Sequence, residues 1–136
     1  MSEPTLAGGA ETFRAPAPDA PLAVVTGASG FVGSHIADEL LRRGVRVRCI
    51  LRRTSSRRWL EGKPLEIVVA PLEDPTALAA AVAGATWIVH AAGLTSARHA
   101  AEFHERDVVG TERMLRAALT VGSGLRRFLQ ISSQAA

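Results

Sequence analysis

The sequence predicts an α/β domain built on a doubly wound parallel sheet of about five strands, in the order 3-2-1-4-5. Short apolar runs rich in β-branched residues alternate with helix-like segments from Leu22 onward. The runs are apolar almost throughout, which is typical of strands buried on both faces. Right-handed crossovers restrict the strand order and place a switch point between strands 1 and 4, where ligands of such sheets bind.

The elements follow one another in a regular order. The predicted strands read LAVVT, VRVRCIL, LEIVVA, TWIVHAAG and RRFLQISS. A helix is predicted for FVGSHIADELLRR, ending at Gly44, and a second for TALAAAVAG, opened by Asp74 and Pro75. A long helix is predicted from about Ala100 to Val121, and the apolar residues available for its buried side are Phe103, Met114, Leu115, Ala118 and Leu119.

Composition limits the class of protein. The chain has 136 residues, enough for one domain, with 47% hydrophobic residues and a net charge of +3. It shows no apolar run of the roughly 18–20 residues that span a membrane and no secretory signal pattern. The one cysteine, Cys49, excludes an internal disulfide and favours a reducing, cytoplasmic location. Residues 1–21 are rich in Pro, Ala, Gly and acids and are predicted to form a flexible tail, which leaves residues 22–136 as the domain.

Three glycines follow the first strand and open the first helix. Gly27, Gly30 and Gly33 are spaced G-x-x-G-x-x-G. Such a turn needs a tight bend, a bare backbone that a pyrophosphate can approach, and close packing of helix on strand, and glycine meets all three needs. The helix N-terminus adds free N–H groups and a partial positive charge. The pattern therefore predicts a Rossmann-like dinucleotide site; the alternative is that the glycines serve the turn alone.

Arginines occupy the region that usually determines whether such a site binds NAD or NADP. No Asp or Glu lies between Cys49 and Leu60, the region where an acid would bind a ribose 2′-hydroxyl, and Arg52 and Arg53 occupy it. A guanidinium suits a 2′-phosphate, so the sequence favours NADP over NAD. The wider arginine group has two further interpretations, a nucleic-acid footprint or a solvated helix end and strand edge; its members are Arg42, Arg43, Arg46, Arg48, Arg52, Arg53, Arg57 and Arg58. No nucleic-acid or membrane partner is expected.

Four short motifs in this order resemble one superfamily. TGASGFVG, VHAAG, VVGT on a helix and ISS closing a strand resemble the extended short-chain dehydrogenases/reductases. The nearest types are the NAD(P)-dependent epimerases/dehydratases and the dihydroflavonol-reductase and 3β-hydroxysteroid-dehydrogenase enzymes. The resemblance runs from Leu22 to the end of the chain and implies hydride transfer at a hydroxyl or carbonyl carbon. It also implies that the chain stops before the later strands and the substrate domain.

The resemblance assigns roles to particular positions. It places the pyrophosphate beside the glycines and the start of the first helix, the 2′-phosphate at Arg52, the adenine beside Leu72, and the riboses and nicotinamide along the end of strand 4. Ser133 matches the serine or threonine that hydrogen-bonds the reacting oxygen. The cofactor residues so implied are Gly27, Gly30, Phe31, Val32, Gly33, Arg52, Leu72, Ala91, Ala92 and Gly93. No metal site is expected, and His90 is interpreted as a packed histidine rather than a catalyst.

The departures from the family pattern are informative. Pro71 replaces the Asp that contacts adenine, and Asp107 replaces the Asn of the helical motif. The family's Tyr-x-x-x-Lys pair is missing, because the chain contains no tyrosine and its one lysine is Lys63. The sequence thus predicts a dinucleotide-binding part of an oxidoreductase that is not catalytically competent as given, with possible self-association. The alternative is a non-catalytic NAD(P)-binding sensor or one half of a split assembly.

Overall fold

Strands and helices alternate along the chain in the computed structural model, which describes residues 11–93 and 100–132. The elements are β1 (Leu22–Thr26), α1 (Phe31–Arg42), β2 (Arg46–Leu51), β3 (Glu66–Val69), α2 (Pro75–Val82), β4 (Trp87–His90), α3 (Ala100–Phe103), a π-helical segment (His104–Val109), α4 (Gly110–Leu119), a 3-10 turn (Gly122–Gly124) and β5 (Arg127–Gln130). In these parts of the chain no helix is long and apolar enough to cross a bilayer.

The five strands form one parallel sheet in the order β3-β2-β1-β4-β5. The predicted fold class and strand order are both confirmed. Thr26, the last residue of β1, pairs with Ile50 of β2 on one side and with His90 of β4 on the other. The crossovers reverse direction between β1 and β4, so the carboxyl ends of these strands flank the switch point.

The sheet separates two apolar cores. On one face α2 and α4 cover the sheet, and Val24, Ile88 and Met114 are fully buried there. On the other face α1 covers the sheet, with Val25 and Cys49 fully buried. Burial on both faces explains why β1 is apolar from Leu22 to Val25 and shows no polar alternation there.

The predicted long helix changes its hydrogen bonding part-way along. The N–H of Gly110 donates to the carbonyl of Glu105, five residues back, which is the π-helical pattern. The hydroxyl of Thr111 donates to the carbonyl of Asp107 at 2.5 Å. The segment from Ala100 to Leu119 is therefore three helical pieces rather than one regular helix.

The buried side of α4 is narrower than predicted. Phe103, in α3, is 38% exposed, so its predicted burial is wrong. Met114, Ala117 and Ala118 are buried, whereas Leu115 and Leu119 are 46% and 83% exposed, so the predicted burial of these two leucines is wrong as well. Each follows a buried residue directly, and one step along a helix turns the side chain by about 100°.

The segment before β1 contacts the outer side of α1. Both carboxylate oxygens of Glu11 accept hydrogen bonds from Arg42, at 2.6 and 2.5 Å. The ring of Phe13 lies between Arg42 and Lys63, 5.7 and 5.5 Å from their charged groups, and Lys63 Nζ donates to Asp38 at 2.6 Å. The flexible tail over residues 1–21 and the domain boundary after it stay predictions.

Candidate functional site

A cavity of about 280 Å³ opens at the carboxyl ends of β1, β2, β3 and β4. All ten residues predicted to contact a cofactor lie in its wall: Gly27, Gly30, Phe31, Val32, Gly33, Arg52, Leu72, Ala91, Ala92 and Gly93. The rest of the wall was not predicted and consists of Thr26, Ser29, Ile50, Leu51, Ser55, Ala70 and Arg106. The position of most of these residues at the ends of predicted strands was the available signal.

Two of the glycines allow the backbone to pack without room for a side chain. Gly27 has φ of +72°, and a Cβ there would lie 2.6 Å from the backbone of Ala91 and Ala92. A Cβ on Gly33 would lie 2.0 Å from the carbonyl oxygen of Gly27. Because these two glycines have no side chain, α1 packs closely on the end of β1, and the end of β1 packs closely on the end of β4.

The third glycine is open toward the cavity. A Cβ built on Gly30 would meet only the carbonyl oxygen of Gly27, at 3.4 Å, which is ordinary contact. Gly30 is the N-cap of α1, has extended backbone, and has no side chain to occupy the helix's first N–H groups. The first turn carries no acidic residue. The free N–H groups and the positive end of the helix dipole therefore suit an anion in the cavity.

The remaining wall contains two arginines and several apolar side chains. Arg52 and Arg106 are its charged residues, and neither has a carboxylate partner in the described part of the chain. Among residues 11–93 and 100–132, no Asp or Glu lines the cavity. Ile50, Ala70 and Leu72 contribute an apolar slot at the ends of β2 and β3, which suits a flat ring, while the arginines suit phosphate oxygens.

The hydroxyl of Thr26, a residue of the cavity wall, links the ends of β1 and β4 through hydrogen bonds. Thr26 Oγ1 lies 2.6 Å from His90 Nδ1 and accepts a hydrogen bond from the N–H of Ala92 at 3.2 Å. His90 is fully buried, and within residues 11–93 and 100–132 its Nε2 has no hydrogen-bond partner. The sequence interpretation of His90 as a packed histidine agrees with this burial; its partner Thr26 was not predicted, because the two residues are 64 positions apart.

Burial makes the stability of the domain depend on pH through His90. Desolvation lowers the pKa of this imidazole, and the Asp107 carboxylate acts in the opposite direction. A histidine in an unfolded chain has a pKa of about 6.5. Below this pH the unfolded chain therefore holds a proton on this imidazole that the folded chain lacks. The free energy of unfolding is therefore expected to fall as the pH drops below about 6.5.

Urea unfolding at pH 7.5 and 5.5 measures this effect. His90→Asn should reduce the loss of stability between the two pH values, whereas His104→Asn, at an exposed position, should leave it unchanged. An equal loss in wild type and His90→Asn would contradict the prediction.

Two further predictions concern Ser133 and a metal site. Ser133, the implied partner of the reacting oxygen, lies outside the described residues. Among the described residues, no three His, Cys, Asp or Glu side chains are grouped so that they could hold a metal ion.

The chain matches a family model over most of its length. The model is that of the NAD dependent epimerase/dehydratase family, and it matches residues 23–136. The chain belongs to this family.

The curated relatives that this family member matches include reductases with different substrates. It is 35% identical over 112 residues to a 4-hydroxy-2-methyl-3-oxo-4-farnesyl-3,4-dihydroquinoline-1-oxide ketoreductase from Stigmatella aurantiaca, covering 82% of this chain and 33% of the relative. It is 34% identical over 112 residues to a ceramide reductase from Caulobacter vibrioides, covering 82% of this chain and 34% of that protein. The family member thus spans about a third of the length of the curated relatives it matches.

Solved structures show the same fold. A short-chain dehydrogenase/reductase superfamily protein from Agrobacterium tumefaciens, with bound NAD, is 34% identical with a TM-score of 0.66, over 82% of this chain and 32% of that one. A mutant uronate dehydrogenase from the same organism, complexed with NAD, is 26% identical with a TM-score of 0.67, over 83% of this chain and 41% of that one. The five-stranded architecture of the family member is that of the matched parts of these proteins.

Proposed function

We propose that this chain is the dinucleotide-binding part of an NAD(P)-dependent epimerase, dehydratase or reductase. The observation that carries the proposal is the glycine cradle, in which Gly27 and Gly33 bring the first turn of α1 against the ends of β1 and β4 and Gly30 leaves that turn open to the cavity. The bound NAD of two structural relatives supports a dinucleotide as the ligand.

Different residues of the cavity wall would bind different parts of such a ligand. The first-turn N–H groups beside Gly30 would bind the pyrophosphate, and the apolar slot with Leu72 would take the adenine. Ala91, Ala92 and Gly93 offer a side-chain-poor edge for the riboses and nicotinamide. A bound nicotinamide cofactor would supply hydride transfer.

We limit the proposal for these residues to binding. Ser133 is proposed to hydrogen-bond the reacting oxygen of a substrate. The acid–base tyrosine and its lysine, which the family pattern places after that serine, are not among these 136 residues, which contain no tyrosine. We expect no hydride transfer by this chain alone; the substrate and activity of the longer relatives carry over only as proposals.

Titration of the purified chain with NADPH and NADH tests binding. Cofactor fluorescence should report a saturable complex with a dissociation constant below the millimolar range for at least one of them. No binding of either cofactor up to millimolar concentrations would overturn the proposed function.

Within this function, NADP is proposed as the preferred cofactor on the strength of Arg52. Arg52 lines the cavity directly after β2, and among the described residues no Asp or Glu lines the cavity to bind a 2′-hydroxyl. Ser55 also lines the cavity, and its Oγ accepts a hydrogen bond from the N–H of Arg52 at 3.1 Å. A charge-assisted bond to a 2′-phosphate is typically worth about 1.5–3 kcal/mol.

Arg52→Gln should therefore weaken NADPH binding by about 10-fold or more and leave NADH binding nearly unchanged. Arg126→Gln, at an exposed position just before β5, is the matched control and should leave the binding of both NADPH and NADH unchanged. Equal losses for both cofactors would indicate that Arg52 does not act on the 2′-phosphate.

A cytoplasmic location and self-association complete the proposal. Burial raises the pKa of the Cys49 thiol to about 12, so the single cysteine is unreactive and fits a reducing compartment. Val108, Leu115 and Leu119 expose apolar surface on the outer side of the π-helical segment and α4, and Leu129 does so on the edge strand β5, which supports self-association.

A further inference from the structure

The turn after β2 carries several positive charges, and most of them lie outside the cavity wall. Residues 52–62 contain four arginines and one acid, Glu61. Arg52 lines the cavity, whereas Arg53, Arg57 and Arg58, which we call the outer arginines, do not. All three are exposed.

Five other arginines of the described residues are neutralised by glutamates, and the outer arginines are not. Arg42, Arg43, Arg48, Arg113 and Arg116 form ion pairs with glutamates. In the described part of the chain none of the outer arginines has an acidic partner. Their positive charge is therefore free to act on a charge that approaches from solvent.

The turn that carries these charges borders the cavity through Arg52 and Ser55, and Arg53 lies between these two residues in the chain. The N–H of Ser55, itself in the cavity wall, donates to the carbonyl of Arg52 at 3.0 Å, and the N–H of Leu60 donates to the carbonyl of Arg57 at 2.9 Å. Leu60 is buried and anchors the turn in the core on the α1 side. The guanidinium of Arg58 lies over the ring of Trp59, 4.4 Å from its centroid, which restrains its position.

We propose that the outer arginines steer an anionic dinucleotide into the cavity and accelerate its association without contacting it in the complex. This inference rests on the proposed function, because it takes the polyanionic dinucleotide as the ligand. Charges of one sign around a cleft raise the local concentration of an oppositely charged ligand and can raise association rates by about 10- to 1,000-fold. The Debye length is about 8–10 Å at moderate salt, so charges at the rim act while the ligand is still outside.

If the outer arginines steer the ligand, their removal should slow its association and leave its dissociation unchanged. The variant Arg53→Gln/Arg57→Gln/Arg58→Gln should slow NADPH association about 5- to 10-fold at an ionic strength of about 0.02 M. The dissociation rate should not change, since these side chains are absent from the cavity wall. The difference from wild type should vanish at about 0.5 M salt, where the field is screened.

The matched control removes the same charge elsewhere. Arg14, Arg126 and Arg127 are also exposed and without acidic partners in the described residues. Arg127 begins β5 and Arg126 precedes it, at the amino edge of the parallel sheet and away from the cavity. The variant Arg14→Gln/Arg126→Gln/Arg127→Gln should keep an association rate within about twofold of wild type.

Stopped-flow measurement of NADPH fluorescence across a salt series decides between the outcomes. A slower association confined to low salt and to the outer-arginine variant supports the inference. Unchanged association, an equal effect in the control variant, or a faster dissociation overturns it while leaving dinucleotide binding intact. Failure of wild type to bind any dinucleotide overturns the proposed function, and the inference with it.

Discussion

Gly33→Ala is expected to destabilise the domain by more than about 3 kcal/mol, and this is the largest effect of a single methyl group that we predict. A Cβ at this position would lie 2.0 Å from the carbonyl oxygen and 2.5 Å from the carbonyl carbon of Gly27, and 2.9 Å from the Cα of Ala28. All three are backbone atoms in a turn that is held between β1 and α1. The clash can be relieved only if α1 moves away from the sheet.

Urea or thermal unfolding measures the cost. A loss of about 3 kcal/mol lowers the melting temperature of a domain of this size by about 10 °C. Gly124→Ala is the matched control, because it adds the same methyl group where no atom lies within 4 Å, and it should change stability by less than about 0.5 kcal/mol. If Gly33→Ala unfolds within 1 kcal/mol of wild type, α1 is not packed on the turn as described.

The sequence predicts the fold because the decisive signals are local. Apolar runs such as Leu22–Thr26 and the breaks at glycines between them define strands and helices, and the handedness of crossovers supplies the strand order. All ten predicted cofactor residues line one cavity because the carboxyl ends of parallel strands share an edge of the sheet.

The unpredicted features depend on contacts between distant residues. Thr26 and His90 are 64 positions apart, and nothing in either segment indicates that a hydroxyl and an imidazole meet at the ends of β1 and β4. In the π-helical segment His104–Val109 backbone hydrogen bonds such as that of the Gly110 N–H are shifted by one residue, and composition carries no signal for such a shift.

The entry of Arg106 into the cavity wall was missed for a related reason. The residue lies within the π-helical segment His104–Val109, and the sequence interpretation treats that segment as part of one regular helix. The side of a helix on which a residue lies depends on every turn before it, so one irregular turn changes the position of the side chains around the axis.

Gly30→Ala is expected to weaken the binding of both NADPH and NADH by about 10- to 100-fold while leaving the fold intact. The new methyl group would lie 3.4 Å from the carbonyl oxygen of Gly27 and meet no other atom within 4 Å, so the folded chain accommodates it. Gly30 lines the cavity at the first turn of α1, where the added volume would keep a pyrophosphate from the helix N–H groups. Losing one charge-assisted hydrogen bond, typically worth about 1.5–3 kcal/mol, corresponds to this change in affinity.

The two glycine variants together separate folding from binding. Gly30→Ala should unfold within about 1 kcal/mol of wild type, since its backbone is extended at φ of −89° and needs no left-handed conformation. Isothermal titration with each cofactor should show losses of similar size, because both carry the same pyrophosphate, whereas Arg52→Gln should affect NADPH alone. Unchanged affinity in a folded Gly30→Ala protein would mean that no phosphate approaches α1 at this position, and the glycines would then serve the packing of the turn alone.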